Sequence, residues 1–172
     1  RKARDLMQSD WFQELWPIAF TRTAEDNFAN ERMGSREAVA FGSLMGKRGD
    51  VLIIDDPHSL DGAESETERT KNVRRFVEGG QSRVNDRVNS AIVIVMQRVH
   101  MEDLSGAILA RNLGYQHLMI PMRYEPDRAV VTEIGWRDPR TFEGELRDPA
   151  RVPESEVAKE EKSEYSFAGQ YQ

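Results

Sequence analysis

An α/β fold with a mostly parallel sheet and flanking helices is the class this sequence predicts, on three observations. Two short uninterrupted apolar runs, Val51-Leu52-Ile53-Ile54 and Ala91-Ile92-Val93-Ile94-Val95-Met96, have the length and β-branched content of strands buried on both faces. A helix-forming stretch lies between them. Strand, helix and strand fit into about 45 residues, which makes a right-handed parallel crossover the expected connection.

Each element has its own local reason. Leu6, Met7, Phe12, Leu15 and Trp16 recur at roughly helical spacing until Pro17 breaks the pattern. Ile18-Ala19-Phe20 reads as a short strand. Asn27–Glu31 and Arg36–Phe41 flank Gly34-Ser35 and suggest a β-hairpin region at the N-terminal end. A glycine-bearing loop from Gly42 to Gly49 leads into the first apolar run. The following helix is expected from about Asp61 to Glu78. Glu64, Glu66 and Glu68 lie at its start and Lys71, Arg74 and Arg75 toward its end, as the macrodipole favours, and Gly79-Gly80 stops it. A second helix is expected from about Met101 to Asn112, with Leu104, Ile108 and Leu109 inward, ended by Gly114. His117-Leu118-Met119-Ile120 reads as a third strand before Pro121, and Ala129-Val130-Val131-Thr132 as a short strand among long connections. The stretch from Pro153 to Ser163 is charged, helical in propensity and expected to be solvated.

Composition excludes several classes. With 172 residues the chain suits one medium domain, and with no cysteine it has no disulfide framework, no cysteine zinc site and no thiol nucleophile. No apolar run approaches a membrane span and the start does not read as a secretory signal, so a soluble intracellular protein is the default expectation. Residues 1–50 carry eight basic and eight acidic side chains, 51–140 carry twelve and fourteen, and 141–172 carry four and eight. The net charge of −6 therefore sits mainly in the tail. Autonomous DNA binding, which needs clustered Lys and Arg, is disfavoured. A solvated helix face explains Arg74, Arg75 and Arg83 as well as DNA contact would. Both ends, the amphipathic start without an initiator Met and the aromatic Tyr165-Ser166-Phe167-Ala168-Gly169-Gln170-Tyr171-Gln172, read as boundaries of a fragment.

The residues with the clearest chemistry stand at the two strand ends. Val51-Leu52-Ile53-Ile54-Asp55-Asp56 is the pattern of a Walker B strand: aliphatic residues bury the strand, and two carboxylates emerge at its C-terminal end, which in open α/β sheets faces the ligand crevice. Asp55 can hold the Mg²⁺ of MgATP through water, since Mg²⁺ prefers oxygen ligands and keeps part of its hydration shell. Asp56 can orient or deprotonate the attacking water. The bland alternative is an ordinary strand followed by an Asp-Asp-Pro turn. The next strand delivers Gln97 and Arg98 to the same sheet edge. Gln97 offers a donor and an acceptor to phosphate or water, and Arg98 a planar fork for phosphate or carboxylate. The competing account of Arg98 is a pair with an acid in the following loop.

Gly42-Ser43-Leu44-Met45-Gly46-Lys47-Arg48 imitates a phosphate-binding loop but fails as one. It has three residues between the glycines where the motif needs four, and Arg48 stands in place of the Ser or Thr that ligates Mg²⁺. It is expected to be a turn. His58, His100 and His117 are too widely spaced for a zinc pattern. His117 is expected to be structural. His58 and His100 follow strand ends, where they could line the crevice, but a surface place is the default for both.

Asp55-Asp56-Pro57, then Ile94-Val95-Met96-Gln97-Arg98-Val99-His100 with Asp103-Leu104-Ser105-Gly106, then Phe167-Ala168-Gly169-Gln170-Tyr171-Gln172 together resemble the ATPase domain of tailed-phage large terminases, over residues 20–172. The resemblance implies an incomplete P-loop NTPase core of the RecA-like kind, with residues 1–152 as its Walker B half and 153–172 as a charged linker toward a nuclease domain. It implies ATP and Mg²⁺ as cofactors, Asp55 on the metal, Asp56 as the catalytic carboxylate, and Gln97 and Arg98 at the coupling position. The implied partners are double-stranded DNA, a portal protein and a small terminase subunit, around a homo-oligomeric ring on the prohead in the host cytoplasm. Two departures stand out. The second acid is commonly Glu, and the coupling stretch often reads Thr-Arg-Trp-His, where this chain has Gln97 and Val99 for the Thr and the Trp. The alternatives are another P-loop motor such as a helicase, and a non-catalytic α/β interaction module.

Overall fold

The computed structural model describes residues 2–162. The chain divides into two compact units, one ending at Lys47 and the other beginning at Arg48. The aromatic C-terminal motif falls outside the described residues.

In the first unit the amphipathic start forms two short helices, α1 (Lys2–Met7) and α2 (Asp10–Leu15). Ser9 separates them because its hydroxyl caps α2, accepting the Phe12 N–H. Gln13 then ties the pair to the next segment, donating to the Met7 carbonyl and accepting the Ile18 N–H. Three antiparallel strands follow: β1 (Phe20–Thr23), β2 (Asn27–Asn30) and β3 (Ser35–Glu37), in that spatial order. The hairpin expected around Gly34-Ser35 is therefore part of a three-stranded meander. Asn30 makes its turn, because its side-chain oxygen accepts both the Arg32 and Gly34 N–H groups while Met33 adopts φ +69°. Phe28 is buried, edge-on to Phe20 and under the Arg36 guanidinium. The glycine-bearing stretch Phe41–Gly46 is a 3₁₀ helix.

The second unit holds the crossover. Strand β4 (Val51–Asp55) and strand β5 (Ala91–Val95) are parallel and in register, Val51 opposite Ala91 and Asp55 opposite Val95. Between them run α3 (Leu60–Glu64) and α4 (Glu66–Glu78), then a 3₁₀ turn over Gly80–Arg83. The single helix expected over 61–78 is interrupted at Ser65, which ends α3 and caps α4 by accepting the Glu68 N–H. Gly80 is required where it stands, since a Cβ there would lie 2.8 Å from the fully buried ring of Phe76. Among the described residues the fold is thus mixed α/β, with one two-stranded parallel sheet and one three-stranded antiparallel sheet.

Burial of the parallel pair departs from expectation. Ile54 is buried, but Val51 and Ile53 are 60% and 65% exposed, and Val93 and Val95 are open as well. A continuous apolar run does not distinguish a strand covered on one face from a strand covered on both, and here alternate residues face outward.

Helix α5 is Leu104–Ala110, shorter than the expected 101–112, because Asp103 is its N-cap. His117–Ile120 is not a strand, and Ala129–Thr132 contributes only an isolated bridge between Val131 and Arg137. Those segments are held by side chains. Buried Arg140 pairs with Asp138 and donates to the carbonyls of Pro121, Met122 and Glu145, the last two of which also accept the Arg147 and Tyr124 backbone N–H groups. The charged tail is helical, α6 (Glu154–Glu160), yet not simply solvated: Val157 is fully buried, and Arg123 grips both Glu154 and Glu161. Among the described residues no helix is long and apolar enough to cross a membrane.

Candidate functional site

The parallel register of β4 and β5 brings their C-terminal ends together. The sheet's last link is the Asp56 N–H donated to the Val95 carbonyl at 2.9 Å. Asp56 then adopts φ +42°, a left-handed conformation that Asp tolerates better than most residues. The chain turns sharply, and the Asp56 carboxylate accepts a long hydrogen bond, 3.4 Å, from the Gln97 N–H. Two positions 41 residues apart in sequence thus meet at one sheet edge.

Behind Asp56 the loop is fastened at three points. The Pro57 carbonyl accepts from Asn72 on α4. His58 Nε2 accepts the Leu104 N–H at the start of α5, at 3.1 Å. Ser59 caps α3 through the Gly62 N–H. The facing loop turns about Asp103, which has no exposed surface. Its carboxylate accepts the Val99, His100 and Gly106 N–H groups together with the Arg98 Nε–H. Between the loops lies an open crevice of about 310 Å³, lined by Asp56, His58, Ser59, Leu60, Gln97 and Val99. Its size is at the small end for ligand sites.

Of the four residues singled out from sequence, Asp56 and Gln97 line this crevice. Asp55 does not: strand alternation puts it on the open face with Val51 and Ile53. Arg98 does not line it either, being engaged with Asp103, the pairing that the competing account of Arg98 described. No group of three or more His, Asp or Glu able to hold a metal occurs among the described residues. Magnesium bound with a nucleotide does not need one, because one or two carboxylates with waters and phosphate oxygens complete its shell.

The crevice also holds His58, for which sequence reasoning made the surface the default and the crevice the alternative. It is only 7% exposed, and its Nδ1 is buried with no hydrogen-bond partner. Burial lowers its pKa below the ordinary imidazole value; Asp103 opposes that shift and Arg69 adds to it. The neutral ring accepts at Nε2, so its proton sits on Nδ1 and points to no acceptor. The only available signal was its position two residues beyond the acids, since the Leu104 contact lies 46 residues away. His100 is engaged locally, its Nδ1 accepting the Glu102 N–H.

A carboxylate, a side-chain amide and an orphaned buried N–H beside one crevice suit a ligand that presents both a cation and oxyanion oxygens, the chemistry of a magnesium-bound phosphate. No protein-family model, curated protein or solved structure matches this chain, so the site stands on its geometry.

Proposed function

We propose that this chain is part of the ATP-hydrolysing motor of a phage terminase large subunit, a P-loop NTPase that drives double-stranded DNA into proheads. The observation that carries the reading is the meeting of Asp56 and Gln97 at the C-terminal edge of a parallel strand pair, beside a crevice. In open α/β sheets that edge is where ligands bind.

When bound, MgATP supplies the transferable phosphoryl group and the metal charge that stabilises its departure. Asp56 orients the attacking water or takes its proton. Gln97 donates to a phosphoryl oxygen or accepts from that water, and so reports the state of the nucleotide to the loop ending at α5. Asp55 faces the open side of the sheet rather than the crevice, so the magnesium role expected of it is not assigned to it. Arg98 braces the Gln97 loop through Asp103. The described residues hold no backbone cradle for the phosphates, so the chain by itself binds ATP poorly and is not expected to turn it over. In the ring on the prohead, portal protein, small subunit and DNA complete the machine.

The reading frame around these residues supplies the test. A Gly-x-x-x-x-Gly-Lys-[Ser/Thr] motif upstream and an acidic nuclease cluster downstream support a terminase; a second RecA-like domain in place of the nuclease points to a helicase. A complete frame with neither, and no effect of MgATP on the isolated chain, overturns the ATPase. The non-catalytic interaction module then remains, a reading that Arg98's engagement with Asp103 favours.

A further inference from the structure

His58 is the one described residue with a buried side-chain polar atom left without a partner. A sealed, unpaired donor of this kind opposes folding, and the structure gives no folding reason to keep it. The fold already uses the other ring nitrogen, which accepts the Leu104 N–H and joins the β4 loop to α5. An apolar side chain would remove the Nδ1 penalty, and a glutamine would keep the acceptor toward Leu104. The same ring lines the crevice with Asp56, Ser59 and Gln97.

We propose that His58 is a ligand-binding residue whose Nδ1–H donates to a phosphoryl oxygen held in the crevice. This rests on the nucleotide reading for the identity of the phosphoryl group, but not for the donor itself. The Leu104 N–H fixes the tautomer, so the proton is on Nδ1 before the ligand arrives, and because Nδ1 is buried the atoms covering it must move aside for a phosphoryl oxygen to reach it. The Asp56 carboxylate lines the same crevice and repels a bare oxyanion, which makes a magnesium-bound phosphoryl the favoured form. Because Leu104 opens α5, the contact also links crevice occupancy to the loop that carries Gln97.

The test is histidine-ring ¹⁵N NMR on the 172-residue chain, titrated with Mg²⁺ plus a non-hydrolysable imido analogue of ATP, and separately with inorganic phosphate. Even a weak complex registers in this measurement. The free protein should show His58 protonated at Nδ1, and the magnesium analogue should move that resonance and slow exchange of its proton, with phosphate less effective. His58→Gln should melt like the parent and bind the analogue about tenfold more weakly or worse, the loss of one hydrogen bond to a charged group. His58→Asn, which keeps a donor near the Nδ1 position but drops the Leu104 contact, should melt lower and retain more affinity. Analogue binding that leaves the His58 resonance still and is unaffected in His58→Gln overturns the proposal while leaving the nucleotide reading in place. A response to phosphate but none to the analogue keeps His58 as an oxyanion donor and removes the nucleotide. A proton found on Nε2 in the free protein, or silence toward both probes, overturns it.

Discussion

Arg98 donates its Nε–H to Asp103 over 3.2 Å, and that carboxylate also holds the Val99, His100 and Gly106 N–H groups. One fully buried side chain therefore shapes the whole turn between β5 and α5. The Arg98 end is part-exposed and contributes little by itself. The backbone donors matter more, since their loss leaves buried N–H groups unsatisfied. Asp103→Ala should lower unfolding free energy by about 3 kcal/mol, measured in urea, whereas Arg98→Ala should cost well under half of that. Gly106→Ala should be comparably severe, because the added Cβ would fall 1.9 Å from the Met101 carbonyl oxygen.

Stability should depend on pH through two histidines. His58 is held below the ordinary imidazole value chiefly by burial, and so is His117, with Arg98 and Arg128 adding to the effect there. In the unfolded chain both titrate near 6.5, so below that pH the unfolded state binds more protons than the folded one. The histidine contribution to unfolding free energy should therefore be flat above about pH 7, fall as pH drops through 6.5, and level off once the folded-state values are passed, before loss of the Arg140-held Asp138 carboxylate removes further stability at lower pH. His58→Gln should make the slope shallower without abolishing it, since His117 remains. Urea titrations at pH 7.5, 6.5 and 5.5 measure this; an unchanged slope in the variant would mean His58 is as readily protonated folded as unfolded.

The crossover was legible because both of its signals are local. Val51–Ile54 and Ala91–Met96 are apolar and β-branched, and the acids and bases of Glu66–Glu78 sort along the macrodipole. The meeting of Asp56 with Gln97 follows directly from parallel pairing in register. What failed needed distant partners. His117–Ile120 has strand composition, but no neighbouring strand pairs with it. Ser65 divides a helix-forming run because a serine hydroxyl competes for the N–H three residues on. His58 is fastened by a hydrogen bond from the distant Leu104 N–H, and Asp55 turns away from the crevice by simple alternation, which was open to inspection in the sequence.

The C-terminal helix offers a separate test of packing against charge. Its propensity and acidity suggested a solvated segment, yet Val157 has no exposed surface, and Arg123 clasps Glu154 and Glu161 on either side of it. Val157→Ala should cost about 2 kcal/mol in unfolding free energy, the usual result of emptying a buried aliphatic site. Arg123→Ala should instead loosen α6 locally, seen as faster amide hydrogen exchange over residues 154–160 with a smaller change in global stability. Equal global losses from the two variants would mean that the ion pairs, not the buried valine, dock the helix.

Asp56 allows the demands of folding to be separated from those of chemistry. At φ +42° a glycine is at least as comfortable as an aspartate, and the bond to Gln97 is long and exposed. Asp56→Gly and Asp56→Asn should therefore each unfold within about 1 kcal/mol of the parent, the relief of left-handed strain in the glycine variant offsetting its greater unfolded-chain entropy. Asp56→Val, with a branched side chain in the left-handed region, should be clearly less stable than either. In a protein carrying the complete ATPase, Asp56→Asn keeps the shape and hydrogen-bonding reach of the side chain but cannot take a proton from water. Its ATP turnover should fall to background while nucleotide affinity changes little. Turnover at the parental rate in Asp56→Asn would reduce Asp56 to a turn residue, whereas loss of turnover with intact stability leaves its carboxylate no purpose except the reaction.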